Sequence, residues 1–191
     1  VPQPPTSYKG PEALVNLRFA SVNVLTMRSN EDKRCLDGLL VSGRLEMFRM
    51  QISKLKLLFT GMQETRLEEG HSAHTTFGLI CSGRDENYCM GCALFYSLEH
   101  PYAITVSGRK TKEHNFRKEH FTVIANDPRR LLVCVRAPYL YCDIFVGHAP
   151  HSGSSKTDRL KWWKETEQIL GGRNDTSIPL ISFIDANGKV G

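Results

Sequence analysis

Asn23, Glu64, His148, His151, Asp185 and Asn187 stand at or just beyond the ends of apolar segments, where such side chains suit a ligand site. A polar side chain placed where a strand leaves the core loses little hydration yet is held rigidly, as a ligand site requires. Glu64 offers carboxylate oxygen, the hard donor that Mg²⁺ prefers over sulfur. Asp185 can orient or deprotonate a water, and His148 can donate a hydrogen bond to a non-bridging oxygen, most strongly when protonated. Singly, each has a plainer role open to it: a solvated surface glutamate, a hydrogen-bonded structural histidine, a turn at Asp185-Ala186-Asn187-Gly188. His151 precedes Ser152-Gly153, so a loop or capping role competes with phosphate contact.

Another spacing with chemical potential is Cys89-Met-Gly-Cys92. It has no second Cys-x-x-Cys to complete a structural zinc site, so an inert strand or turn is the stronger reading. Cys35, Cys81, Cys134 and Cys142 adjoin apolar segments where a reduced thiol packs as a small hydrophobe, which points to a reducing compartment.

The elements that must position these groups follow from periodicity. Val1 to Glu12 is rich in proline and polar residues and reads as an extended tail, leaving 13–191 as one domain. Asn16 to Leu25 alternates in part, with Phe19, Ser21 and Asn23 on one side and Ala20, Val22 and Val24 on the other, which predicts a strand. Arg34 to Phe59 changes period: Leu45, Phe48, Ile52, Leu55 and Phe59 form a helical stripe that Gly61 ends, with a short strand over Met62 to Leu67. Further strands are expected at Phe77 to Cys81, Cys89 to Ser97, Tyr102 to Val106, Phe121 to Ala125, Arg130 to Ala137 and Leu140 to His148, with a hairpin turn at Asn126-Asp127-Pro128. A second helix over Asp158 to Leu170 carries Leu160, Trp163, Ile169 and Leu170 as its apolar residues and stops at Gly171-Gly172. The last strand, Leu180 to Ile184, delivers Asp185 and Asn187.

Four segments, taken in order and separation, resemble the endonuclease/exonuclease/phosphatase superfamily: Leu17-Arg18-Phe19-Ala20-Ser21-Val22-Asn23, Gly61-Met62-Gln63-Glu64-Thr65, Gly147-His148-Ala149-Pro150-His151-Ser152 and Phe183-Ile184-Asp185-Ala186-Asn187. The likeness runs from Leu17 to the last residue and includes the deoxyribonuclease-like members and the endonuclease domains of non-long-terminal-repeat retrotransposons. It implies an α+β sandwich of four layers, two central β-sheets flanked by helices, with Mg²⁺ or Mn²⁺ at the sheet edge. On this resemblance Glu64, Asn23 and Asp185 surround the metal, Asp185 and Asn187 align the attacking water and hold the scissile phosphate, and His148 fills the family's histidine position. Ile184 departs from the glycine that the family places before its aspartate. The resemblance also implies further strands after Asn187, bringing an aspartate-histidine pair, so the C-terminal part is expected from a longer protein or from another chain.

Lysine and arginine number 25 against 20 aspartate and glutamate, a formal charge of +5 that is compatible with a polyanionic partner. Arg109-Lys110-Thr111-Lys112, Arg117-Lys118 and Arg129-Arg130 are candidate phosphate contacts, or solvated strand ends. No apolar run approaches the roughly 20 residues that cross a bilayer, so membrane insertion is not expected. His148-Ala149-Pro150-His151 looks like the retroelement and deoxyribonuclease-like members, and together with the absence of an apolar membrane-docking stripe this resemblance makes DNA the expected partner and an endonuclease the leading function, with nicking of target DNA for a retroelement as one form of it. An RNA exonuclease or phosphatase of the same superfamily and a catalytically inactive binding or scaffolding module are the alternatives. The chain is expected inside the cell, in the nucleus.

Overall fold

The computed structural model describes residues 13–27, 43–173 and 175–187. The expected tail and the first third of the expected long helix lie outside them. In chain order the elements are β1 (Ala13–Val15), β2 (Phe19–Asn23), α1 (Arg44–Lys54), β3 (Phe59–Gln63), β4 (Gly70–Ala73), β5 (Phe77–Cys81), β6 (Cys92–Ser97), β7 (Ala103–Ser107), β8 (Lys110–His114), β9 (Phe121–Asp127), β10 (Arg130–Ala137), β11 (Leu140–His148), α2 (Lys156–Gly171) and β12 (Leu180–Asp185). No helix among the described residues is long and apolar enough to cross a membrane.

The strands form a five-stranded sheet in the order β2-β3-β6-β5-β4, a four-stranded sheet in the order β12-β11-β10-β9, and a three-stranded sheet β1-β7-β8. Two central sheets were expected, and the third corrects that count. Its physical origin is composition: Lys110 to Glu113 of β8 are exposed and polar, and such a strand cannot lie in a sheet covered on both faces. Between the two larger sheets Phe59, Ile80, Leu94 and Tyr96 meet Leu131, Val133, Ile144 and Val146, all essentially buried. Each such side chain stabilises the fold by about 1.5–3 kcal/mol. On the other face of the five-stranded sheet, Leu45, Phe48 and Ile52 of α1 cover Met62, Leu79 and Phe95. This i, i+3, i+7 stripe is the one periodicity predicted, but Leu55 is 61% exposed and Phe59 belongs to β3. The helix stops earlier because Lys56 takes a left-handed conformation with φ of 54°.

β10 and the whole of β11 coincide with their predicted spans, as does β5. Pro128 and Arg129 make the hairpin turn between β9 and β10. The polar strands β4 and β8 and the short β1 had no apolar alternation to announce them. Cys81 and Cys142 are buried and unpaired, and burial pushes both thiols up to about 12. Cys92 is buried in β6 and is pushed higher by the same cause, so it stays protonated at neutral pH.

Gly61 does not end a helix; it lies in the middle of β3, facing Phe183 of the four-stranded sheet. A methyl group there would stand 2.3 Å from Phe183 Cβ of β12. The contact falls near the partner's backbone, so relief requires the sheets to part. Gly61→Ala is expected to destabilise the chain by about 2 kcal/mol, read from urea unfolding, whereas an unchanged midpoint would contradict this packing.

Candidate functional site

Two parallel strand pairs end side by side. β2 runs parallel to β3 with Asn23 opposite Gln63, and β11 runs parallel to β12 with His148 opposite Asp185. Parallel pairs bring the carboxyl ends of neighbouring strands together, which is where open α/β sheets gather functional groups. A buried amide joins the two pairs: Gln63 Nε2 donates to Phe183 O at 3.1 Å and to Ser21 Oγ at 3.2 Å. Gln63 belongs to a motif segment but its role was not read from the sequence. The available signal was a glutamine inside an otherwise apolar strand, which when buried must find partners.

Asn23 Nδ2 donates to Glu64 Oε1 at 2.7 Å and to Asp185 Oδ2 at 2.9 Å, so one amide spans both carboxylates. Its Oδ1 accepts from Leu25 N, which fixes which way the amide faces. Glu64 follows β3 with a positive φ of 56°, turning its side chain toward the β12 end. His148 Nε2 lies 3.4 Å from Glu64 Oε1, and its Nδ1 is buried without a hydrogen-bond partner. Burial pushes the His148 imidazole below the ordinary histidine range, and this outweighs the upward pull of Glu64 and Asp185. The ring is therefore neutral at pH 7, and the carboxylate favours the tautomer with its proton on Nε2.

The structure thus links Asn23, Glu64, His148 and Asp185 in a chain of side-chain contacts, Asp185 to Asn23 to Glu64 to His148. Asn187 stands beside them: its backbone N donates to Asp185 Oδ1 at 3.1 Å, and its side-chain amide donates to Ala149 O at 2.7 Å. His151 is exposed, and its Nδ1 accepts from Gly153 N at 3.1 Å, a loop-shaping bond. Arg129 Nη1 reaches His148 O at 3.3 Å. Arg130 is committed elsewhere, to Asp127 at 2.7 Å and Glu165 at 2.8 Å, so the Arg129-Arg130 pair is not the two-residue phosphate contact its sequence allowed. Arg109, Lys110, Lys112, Arg117 and Lys118 are exposed.

No family model and no curated protein sequence matches the chain. Among solved structures it is similar to the endonuclease domain of TRAS1, a telomere-specific non-LTR retrotransposon, at 13% identity and a TM-score of 0.50, covering 91% of this chain and 60% of that one. The fold is nuclease-like. The human Nocturnin catalytic domain with bound sulfate anion is also similar, at 13% identity and a TM-score of 0.48, covering 94% of this chain and 68% of that one. The chain spans less than two thirds of the retrotransposon domain's length.

Within this nuclease-like fold, no three His, Cys, Asp or Glu side chains among the described residues are grouped to hold a metal ion together. The oxygen donors at the strand ends are the carboxylates of Glu64 and Asp185; Asn23 turns its N–H side toward them, its oxygen being held by Leu25 N, and His148 Nε2 lies beside Glu64. Such a set still fits Mg²⁺ or Mn²⁺, since a small hard cation keeps several waters and takes one or two carboxylates from the protein. It does not fit a metal that demands a closed all-protein cage.

Proposed function

We propose that this chain is a metal-dependent phosphodiesterase whose substrate is DNA, with Glu64 and Asp185 as the carboxylates that hold Mg²⁺ or Mn²⁺ and Asn23 as the amide that spaces them. The observation that carries the reading is the bridge from Asn23 to Glu64 and Asp185, which joins residues 41 and 162 positions apart at the ends of two sheets. A bound cation would supply charge to polarise the phosphoryl group and stabilise the leaving oxygen. Asp185 orients the attacking water and accepts its proton, the usual work of a positioned carboxylate. His148, neutral and protonated on Nε2, donates to a non-bridging oxygen when the phosphate displaces its contact with Glu64. Asn187 holds the loop after β12 through Ala149 O and so fixes the place where the phosphate lies. Retroelement-associated nicking and a nuclear site of action extend the same reading.

The small number of carboxylates favours a second reading, a nucleic-acid-binding module that does not cleave. Supercoiled plasmid separates the two. The chain is expected to convert it to relaxed circles with Mg²⁺ or Mn²⁺ and to stop when EDTA is added. Plasmid that binds the chain but stays supercoiled with either metal would establish the module instead.

A further inference from the structure

Helix α2 carries two stripes. Trp162 and Thr166 are buried against the four-stranded sheet. Lys156, Arg159, Leu160 and Trp163 fall at i, i+3, i+4 and i+7 on a different face, where they line a groove of about 510 Å³. Its far wall is Pro150 with Ala186 and Asn187, so the groove opens directly beside the candidate site. Leu160 and Trp163 had been expected as packing residues, yet they are 59% and 45% exposed. Two large apolar side chains held in water beside two cations are not explained by the core. The backbone around them is well fixed: Ser155 Oγ caps α2 by accepting from Asp158 N at 3.0 Å, and Arg159 Nη1 donates to Ser152 O at 3.0 Å, tying the Pro150 loop to the helix.

We propose that this groove receives an unstacked base of the nucleic-acid strand next to the phosphate at Asp185 and Asn187. Charge complementarity favours that occupant. The indole face of Trp163 offers the stacking surface, Leu160 and Pro150 enclose the base, and Lys156 meets the adjoining phosphate. The volume falls in the range of roughly 300–1,000 Å³ that holds small ligands. Aromatic stacking tolerates any base, because each has a π-face, so the groove confers strand placement without sequence choice. The identity of the neighbouring phosphate rests on the phosphodiesterase reading.

The test is equilibrium binding of a short single-stranded phosphorothioate oligodeoxynucleotide to the chain in EDTA, followed by anisotropy and by tryptophan fluorescence. Trp163→Ala is expected to raise Kd about tenfold and Trp163→Phe by less than about threefold, as stacking requires. Lys156→Ala is expected to flatten the salt dependence by about 0.7 in the log-log slope, one phosphate on a single strand. Oligonucleotide should quench the wild-type fluorescence but not that of Trp163→Ala, in which buried Trp162 remains. Equal Kd values for wild type and Trp163→Ala overturn the groove assignment, as does a polyglutamate peptide that binds with the same dependence on Trp163. Wild-type chain that fails to relax plasmid but keeps Trp163-dependent oligonucleotide binding overturns the phosphodiesterase reading and upholds the groove. Plasmid relaxation with Trp163-independent binding does the reverse.

Discussion

Glu64→Ala and Asp185→Asn are each expected to slow metal-dependent nicking of supercoiled DNA by about a thousandfold, equivalent to roughly 4 kcal/mol in the barrier. The size follows from the geometry. Asn23 has one side-chain nitrogen directed at both carboxylates, so removing either leaves the amide half-satisfied, and a cation bound as proposed would keep a single carboxylate. Asp185→Asn is the sharper probe, because it keeps the shape of the loop while replacing the oxygen charge that, in the proposed reaction, would orient the water. It also sets two amides, Asn23 and the new one, facing each other. Initial rates of nicking from gel densitometry, with circular dichroism to confirm an unchanged fold, provide the measurement. A variant retaining more than about a tenth of the wild-type rate would remove that residue from the chemistry.

Asp143→Ala is expected to destabilise the chain by about 3 kcal/mol, lowering Tm by roughly 6–12 °C. Asp143 is buried near the start of the parallel β11–β12 pairing, at the end opposite the site. Arg136 Nη2 approaches its Oδ1 at 3.1 Å, at an angle too poor for a hydrogen bond, and Arg173 Nη1 approaches its Oδ2 at 3.5 Å. Arg173 also donates to Leu170 O and Ile178 O, so this ion cluster ties the end of α2 to the segment that enters β12. Deleting the carboxylate would leave two half-sheltered guanidinium groups sharing backbone carbonyls alone. Because β12 delivers Asp185, nicking should fall in parallel, by severalfold at temperatures where the variant is still folded. Calorimetry on Asp143→Ala and Asp143→Asn measures the effect. A Tm within about 2 °C of wild type for Asp143→Ala would show that the two arginines find equal partners without it.

The sequence by itself determined the strands that are mostly apolar and some of the residues that terminate them. β5, β10 and β11 were readable because a strand buried on both faces needs a continuous apolar run, and the same property makes a polar residue at its end, such as His148, conspicuous. Asp185 stood out for the same reason, whereas Glu64 fell inside the strand expected over Met62 to Leu67 and stands past a strand end only because β3 runs from Phe59 to Gln63. What only the tertiary structure decided is everything that depends on which surfaces meet. Gly61 signals a break in a one-dimensional pattern, but the reason for its lack of a side chain is Phe183, more than a hundred residues away. Gln63 acquires its role from a carbonyl on the other sheet, and Arg130 loses its apparent availability to Asp127 and Glu165. The polar strand β8 forms only because β7 lies beside it, since edge pairing uses backbone hydrogen bonds and asks little of side chains. Trp162 and Trp163 are adjacent and chemically identical, so helical periodicity had to choose between them without knowing where the sheet lies. The sheet took Trp162 and left Trp163 facing the groove, because successive residues on a helix point about 100° apart and a single packed face can bury only one of them.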